Sequence, residues 1–353
     1  MKILHIYPKS VNLVELKFHG STKDIRCRTE YFRSLGWTLK EYRVERKEDQ
    51  IIEFLKKIDL KKYRFIVIDI PSSYPNVLRY IRNESPESIS IFRSHNAEFF
   101  HRIDWMCAEK TLRMKLIRLR HAFLGLYRDI RTIYYAHYVL PISDWEATNY
   151  WRLLGKPEKS VFVPYFLPTE YLIDNAREIK KDKLCVCFTA IQSTPLMADA
   201  VKNFSNHVEG LGDHCNDWKF AVVGNAANEK PPTRIHVTGV LESPFEMLQQ
   251  ARAVAVLSDL GRGFKTKIME AIQARAYVLV PPPLFKRLPK EVLPFCIPVR
   301  KNSVVDFQRA LDKCMEPYPE GDPNGVLRAQ AYEALNRLFS KFTDEGIFKC
   351  PPK

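Results

Sequence analysis

No apolar run in the 353-residue sequence approaches the roughly 18 residues needed to span a bilayer, so no transmembrane helix is expected. None of the eight cysteines forms a C-x-x-C pair, and no His/Cys group has zinc-ligand spacing, which excludes a structural zinc site and a thioredoxin-type redox motif. Aromatic-rich basic strands and a recognisable helix-turn-helix are also missing, which removes the usual nucleic-acid readers. The opening MKILHIYPKS is too short and too polar for a signal peptide and reads as a first strand. With cysteines expected as free thiols, this points to a cytoplasmic protein.

What is present is the composition of a folded globular chain, 46% hydrophobic and 27% charged. The length favours two domains over a single core. The net charge of +14 points to an anionic partner: nucleic acid, acidic lipid head groups or phosphorylated small molecules. A merely solvated basic surface is the plainer alternative.

Strand and helix signals alternate along the chain. ILHIY is a short strand; Ser21, with Asp24 three residues on, resembles a capping box that opens a helix to Leu35. TLKEYRV alternates like a strand, QIIEFLKKI is helical, and RFIVIDIP is a continuous apolar run of the kind buried on both faces. ISIFRSHN, YVLPIS and SVFVPYF read as further strands, with a helix over Asp144–Leu154. After the charged linker DNAREIKKDK the pattern restarts: LCVCFTA, WKFAVVGN, IHVTGV, VAVLS and YVLVP as strands, and PLMADAVKNF, FEMLQQARA and DFQRALDKC as helices. A last helix over about Val326–Phe342 follows the turn-rich YPEGDPNG. The repeated βαβ pattern predicts an α/β chain of two doubly wound Rossmann-like domains facing across a cleft. The domains are expected at 1–170 and 171–320, with 321–353 returning to the first.

One helix stands apart. From Leu112, apolar residues recur at Leu116, Leu119, Phe123 and Leu126, and His101–Tyr135 carries eight Lys/Arg against three Asp/Glu. Such a helix either packs on the core with a solvated basic face or lies on an anionic membrane surface.

Ligands in open parallel sheets bind beyond the carboxyl ends of the strands, so residues just after strands are the site candidates. The most informative stretch is SDLGRGFKTKIMEAIQ. A glycine turn, Arg262–Gly263–Phe264, leads into a helix expected to start near Lys265, whose free N–H groups suit phosphate. Lys265 and Lys267 add positive charge. Glu270, one turn on along the same face, can accept from a ribose diol; a plain Glu270–lysine salt bridge is the structural alternative. His95, with Glu98 to orient it or to accept a proton, follows another strand. Ser143 reads first as a helix cap, and Asp259 as a possible sugar contact.

The order and spacing of these segments resemble the GT4-like group of GT-B glycosyltransferases over nearly the whole chain. AVVGNAANEK through AYVLVP follows the donor half of that group; FRSHNAEFF resembles its Arg-x-His-Asn-x-Glu stretch, and YVLPISDWEATNYWRLLG and VFVPYFLP its domain-ending and connecting segments. The resemblance implies a nucleotide-sugar donor held by the second domain and a glycan or lipid-linked acceptor held by the first. The implied reaction is hexosyl transfer with retention, and it needs no catalytic metal or other cofactor; no Asp-x-Asp motif is present to demand one. By the same resemblance Glu270 holds the donor ribose, Lys265 and Lys267 neutralise the diphosphate, and Gly224 and Asn225 lie beside the base. His95 touches the donor sugar, Gly20 approaches the donor phosphate, and Thr189 is one of the polar groups after the first strand of the second domain. His95, Glu98 and Lys267 are the catalytic candidates. The sequence departs from the pattern where the group's first glutamate is Arg262, and where its glycine and proline after the helix are Arg275 and Tyr277. A nucleotide-sugar epimerase or hydrolase of the same fold, or a non-catalytic binding protein, are the alternatives.

Overall fold

The computed structural model describes residues 1–9, 19–45, 47–70, 73–173, 179–189, 195–213, 215–224 and 231–342. Two wholly parallel sheets carry the chain. The first contains β1 (Lys2–Pro8), β2 (Thr38–Val44), β3 (Phe65–Ile68), β4 (Ile89–Ser94) and β5 (Tyr138–Pro141), in the order β2-β1-β3-β4-β5. The second contains β6 (Asp182–Phe188), β7 (Lys219–Val223), β8 (Ile235–Gly239), β9 (Ala251–Ala255), β10 (Tyr277–Val280) and β11 (Cys296–Pro298), in the order β11-β10-β9-β6-β7-β8. β3 and β10 are buried along their whole length, as strands covered by helices on both faces must be.

The helices of the first half are α1 (Gly20–Ser34), α2 (Glu48–Leu55), α3 (Pro75–Glu84), α4 (Glu98–Ala108) and α5 (Leu112–Tyr135). A helical run follows, made of α6 (Asp144–Glu146), a π-turn over Ala147–Trp151 and α7 (Arg152–Leu154). The second half adds α8 (Pro195–Gly210), α9 (Phe245–Gln250), α10 (Lys267–Gln273), α11 (Pro282–Phe285) and α12 (Val304–Lys313), and the chain closes with α13 (Pro323–Phe339). α13 starts at an Asp322 cap and crosses back to α1. Tyr31 donates to Asn336 Oδ1 at 2.7 Å, and Phe339 packs on Phe32 and Phe65.

Strand order tells where each sheet can bind a ligand. The first order is that of flavodoxin, with its switch point between β1 and β3; the second is the Rossmann order, with its switch point between β6 and β9. The predicted crevices therefore lie beyond β1 and β3, where Gly20, Lys23 and Asp69 stand, and beyond β6 and β9, where Thr189 and the 258–267 turn stand.

Several local readings of the sequence are corrected. Ser21 does not cap α1; His19 does, accepting from the Ser21 N–H through Nδ1 at 3.3 Å. Asp24 is spent instead on Arg28 and Arg93. SVFVPYF is not a regular sheet strand: it bridges Val139 at Ser160, and Val161 and Val163 donate to the Val139 and Pro141 carbonyls at 3.0 and 3.3 Å, but the pairing stops at Pro164, which has no N–H to donate. Its side chains still matter, since Val163, Tyr165, Phe166 and Leu167 are buried between the halves in one continuous apolar layer. FEMLQQARA splits, with Ala251–Ala255 taken by β9. α10 begins at Lys267 rather than Lys265. Arg275, where a glycine was the expected residue, has φ 57°, a left-handed conformation normally left to glycine. Its guanidinium lies 4.9 Å from the Tyr318 ring. All seven described cysteines are free thiols, and no helix among the described residues is long and apolar enough to cross a membrane.

Candidate functional site

The carboxyl ends of the two sheets meet around the turn between β9 and α10. The N-terminus of α1 abuts the N-terminus of α10: a Cβ placed on Gly20 would stand 2.5 Å from Thr266 Oγ1. One turn into each helix, Lys23 Nζ reaches Glu270 Oε1 at 2.6 Å, with Lys23 fully buried and Glu270 nearly so. Lys267 lies beside them. Its ammonium donates to the Thr189 carbonyl at 3.4 Å and sits 5.3 Å from the centre of the Phe188 ring. Burial lowers the Lys267 pKa, with Lys23 adding to the effect and Glu270 opposing it. Positive charge from two lysines and from the end of α1 is thus gathered on one carboxylate.

Thr189 and Gly224 form the neighbouring wall. Thr189 N–H donates to the Val223 carbonyl at 2.9 Å. Gly224 has φ +106°, and a Cβ there would meet Thr189 Oγ1 at 2.5 Å, so only glycine fits this close approach. Asn225 lies outside the described residues.

The turn itself is held from both halves. Gly261 N–H donates to Asp104 Oδ2 on α4 at 2.9 Å. Gly263 passes so close to the first half that a Cβ would stand 3.1 Å from Asn96 Oδ1 and 3.3 Å from the His95 carbonyl oxygen. Phe264 packs 5.7 Å from Tyr165. Lys265 donates to the Leu260 carbonyl at 3.0 Å, and burial, with Arg287 nearby, lowers its pKa to about 8. Arg262 stacks over Phe100 at 4.6 Å and faces Trp145 at 5.6 Å and Asp104 at 3.8 Å. Glu146, which accepts from Ala97 N–H at 2.8 Å, is pushed by burial up to about 7. Ser143 caps its short helix, as expected, accepting from Glu146 N–H at 3.2 Å. Asp259 N–H donates to Asp199 Oδ2 at 3.2 Å.

His95 follows β4 at the edge of a buried polar network that sequence reasoning missed. Its Nε2 is 3.0 Å from Asp69 Oδ1. Asp69 also binds Arg28 and, at 3.1 Å, His5; Asp24 pairs with Arg93 at 2.7 Å and Arg28 at 2.8 Å. Burial works against the charge on Asp24, yet Arg28 and Arg93 hold its carboxyl well below the usual range. Among the described residues, Asp24, Asp69 and His95 form a set with ligand atoms within 4.8 Å of one another. Two guanidiniums already supply its positive charge, so a cation there would have to displace an arginine. Glu98 does not orient His95. It begins α4 facing α5, where a Cβ on Gly125 would stand 3.4 Å from its own, and it accepts from Arg102 at 3.3 Å. The signal for Asp69 was legible as a polar residue ending the apolar run RFIVID; Lys23 carried none, since its partner comes from the opposite half.

The structure therefore brings Gly20, Thr189, Gly224, Lys267 and Glu270 together, with Gly263, Phe264 and His95 adjoining. Arg262 and Lys265 stand on the α4 side of the turn, and Glu98 is turned away.

The sequence matches no protein-family profile and no curated protein sequence. Solved structures do match over nearly the full length. Anabaena HepE in complex with UDP and glucose superposes with a TM-score of 0.58 at 10% identity, covering 97% of this chain and 100% of that one. A sucrose-phosphate synthase from Thermosynechococcus elongatus gives 0.63 at 12% identity, covering 96% and 95%. The UDP-GlcNAc 2-epimerase of Methanocaldococcus jannaschii, in complex with UDP-GlcNAc and UDP, gives 0.52 at 9% identity, covering 97% and 100%. At such identities the likeness is one of fold, and the chain has the GT-B architecture of paired Rossmann-like domains.

Proposed function

We propose that this protein is a glycosyltransferase that moves a hexosyl group from a nucleotide-sugar donor to a glycan or lipid-linked acceptor, with retention and without a catalytic metal. The observation that carries the reading is the meeting of Lys23, Lys267 and Glu270 where the switch points of both sheets face one another. Cations and helix N-termini suit a diphosphate, and a buried carboxylate beside them suits a ribose diol. HepE shares the fold and is described with UDP and glucose, which supports a nucleoside diphosphate hexose as the donor class.

In this reading residues 171–320 hold the donor, residues 1–170 the acceptor, and 321–353 tie the two. Lys265, Lys267 and the N–H groups of the 261–266 turn take the diphosphate. Glu270 takes the ribose, exchanging its bond to Lys23 for bonds to the sugar. Thr189 and Gly224 flank the base. Gly263, Phe264 and Arg262 border the hexose, and His95, held by Asp69, faces it. As the bond from anomeric carbon to phosphate oxygen breaks, negative charge grows on the leaving diphosphate. Lysines already in place stabilise that charge without reorganising, while the first domain holds the acceptor hydroxyl on the face of the sugar that the phosphate leaves, so that its oxygen bonds the anomeric carbon with retention and its proton passes to the departing phosphate oxygen. The charge network of Asp24, Arg28, Asp69 and Arg93 fixes the ring of His95 rather than a metal.

The test is thermal stability in the presence of nucleoside diphosphates and nucleotide sugars. A ligand at a hundredfold its dissociation constant stabilises the native state by about 2.7 kcal/mol, and no shift with any of them would overturn the reading. The epimerase likeness supports a second one, isomerisation or hydrolysis of the donor. Donor turnover without any acceptor would favour it.

A further inference from the structure

The outward side of α5 is apolar. Eight of the fifteen exposed large apolar side chains of the described surface lie on this one 24-residue helix. Leu112 is 73% exposed, Tyr134 64%, Leu116 58% and Phe123 57%. At about 100° per residue, Leu112, Leu116, Phe123, Tyr127, Ile130 and Tyr134 fall within roughly 60° of one another, a stripe about 33 Å long. The buried side of the helix is elsewhere, at Ala122, Asp129, Thr132 and Ile133. The stripe read from the sequence thus does not pack on the core at Leu112, Leu116 or Phe123; it faces outward.

Charge decides what covers it. Arg113, Arg120, Arg128 and Arg131 run along one flank of the stripe and Lys115 along the other. The one acid on the helix, Asp129, is buried and accepts from Ser73 and Tyr150, so no carboxylate of α5 offsets these cations on the outer face. A second copy of the chain would set the same cations against each other. A nucleic acid would meet the arginines and could stack on Phe123, Tyr127 and Tyr134, but it would leave Leu112, Leu116 and Ile130 in water. A bilayer with anionic head groups satisfies both features, taking the apolar stripe into the acyl boundary and the cations on phosphate.

The position fits such a role. α5 packs on α4 through its other side, where a Cβ on Gly125 would stand 3.4 Å from that of Glu98, and α4 in turn holds the 261–266 turn through Asp104. One helix diameter, about 10 Å, separates the stripe's helix from the candidate site. We propose that α5 is a monotopic docking helix that lies in the head-group region of an anionic bilayer. This stands on α5 alone and does not depend on the glycosyl-transfer reading.

The experiment is co-sedimentation of the full chain with vesicles of phosphatidylcholine alone and of phosphatidylcholine mixed with phosphatidylglycerol. The protein is expected to sediment with the mixed vesicles and to be released by added salt. Leu116→Ser/Phe123→Ser/Ile130→Ser is expected to abolish binding. Arg113→Gln/Arg120→Gln/Arg128→Gln is expected to weaken it on the order of 100-fold, at about fivefold per cation, while Arg309→Gln/Lys313→Gln on α12 leaves it unchanged. Unaltered thermal unfolding of each variant shows that it is folded. Failure to sediment with either vesicle overturns the proposal, as does full binding by the serine variant. A concentration-dependent dimer or an oligonucleotide complex that forms without vesicle binding overturns it as well, assigning the face to a second copy or to nucleic acid.

Discussion

Lys23 Nζ lies 2.6 Å from Glu270 Oε1, with neither side chain open to water. One ion pair thus joins the two halves at the carboxylate proposed to receive the donor ribose. Breaking such a pair from one side leaves an uncompensated buried charge and costs about 3–5 kcal/mol. Glu270→Gln should therefore lower stability as well as affinity. The double variant Lys23→Met/Glu270→Leu should recover most of the stability and none of the binding, with nucleoside diphosphate affinity down about tenfold to a hundredfold, the worth of hydrogen bonds to a charged acceptor. Calorimetry on the double variant decides it: a stable protein that binds as well as the parent makes Glu270 a structural residue.

Lys265 gives the binding a pH signature. Burial holds its pKa at about 8, so the ammonium is charged below that value and neutral above it. A diphosphate that relies on it should bind progressively less well as pH rises through 8. Lys265→Met should bind weakly throughout and lose that dependence. Titrations of the parent and the variant from pH 6.5 to 9.5 measure this, and parallel curves would remove Lys265 from the phosphate site.

Much of the framework could be read from apolar periodicity alone. Runs such as RFIVID and YVLV are short and rich in β-branched residues, which favours strands buried on both faces over helix, and the alternation with helices gives parallel sheets. What could not be read was pairing across the chain. Glu98 looked like the partner of His95 because it is three residues away, yet His95 lies in the connection after β4 while α4, which starts at Glu98, turns that carboxylate toward α5; Asp69, just past the neighbouring strand β3, takes the place. Lys23 carried no signal of its own, because the carboxylate that pairs with it comes from the other half. Periodicity also showed that α5 is two-faced without showing which face meets the core. In SVFVPYF the β-branched and aromatic residues signalled a strand, and Pro164 ended its pairing with the sheet.

Asp129 should shape stability against pH. Burial raises its pKa to about 8, against the hydroxyls of Ser73 and Tyr150 that favour its charged form. The unfolded chain releases this proton near the ordinary carboxyl value of about 4. Between those values the folded state binds one more proton, so its contribution is present at low pH and is lost as pH rises through 8. The slope is about 1.4 kcal/mol per pH unit. Glu146, raised to about 7, acts with the same sign over a shorter window. Denaturant unfolding of Asp129→Asn should show a flatter profile, with the gap from the parent widening between pH 5 and 8. Parallel profiles would mean that Asp129 is charged in the fold.

Gly20 and Thr266 test the contact between the helix ends. In a free helix, Gly20→Ala would be stabilising by roughly 0.5–1 kcal/mol, since alanine loses less backbone freedom. Here the added Cβ would stand 2.5 Å from Thr266 Oγ1 and 3.3 Å from its Cγ2, so α1 and α10 must separate or the threonine must turn. Thr266 makes no side-chain cap to α10, so Thr266→Ala alone should cost little. Gly20→Ala is expected to lower the melting temperature and to loosen the packing of the two halves, seen as a larger radius of gyration in solution scattering. Gly20→Ala/Thr266→Ala should return both to the parent values, because the atoms that collide are gone. A Gly20→Ala protein with the stability and dimensions of the parent would show that the two helix ends do not meet in solution. The gathering of Lys23, Lys267 and Glu270 would then be lost with that contact, since only the approach of α1 to α10 places Lys23 there.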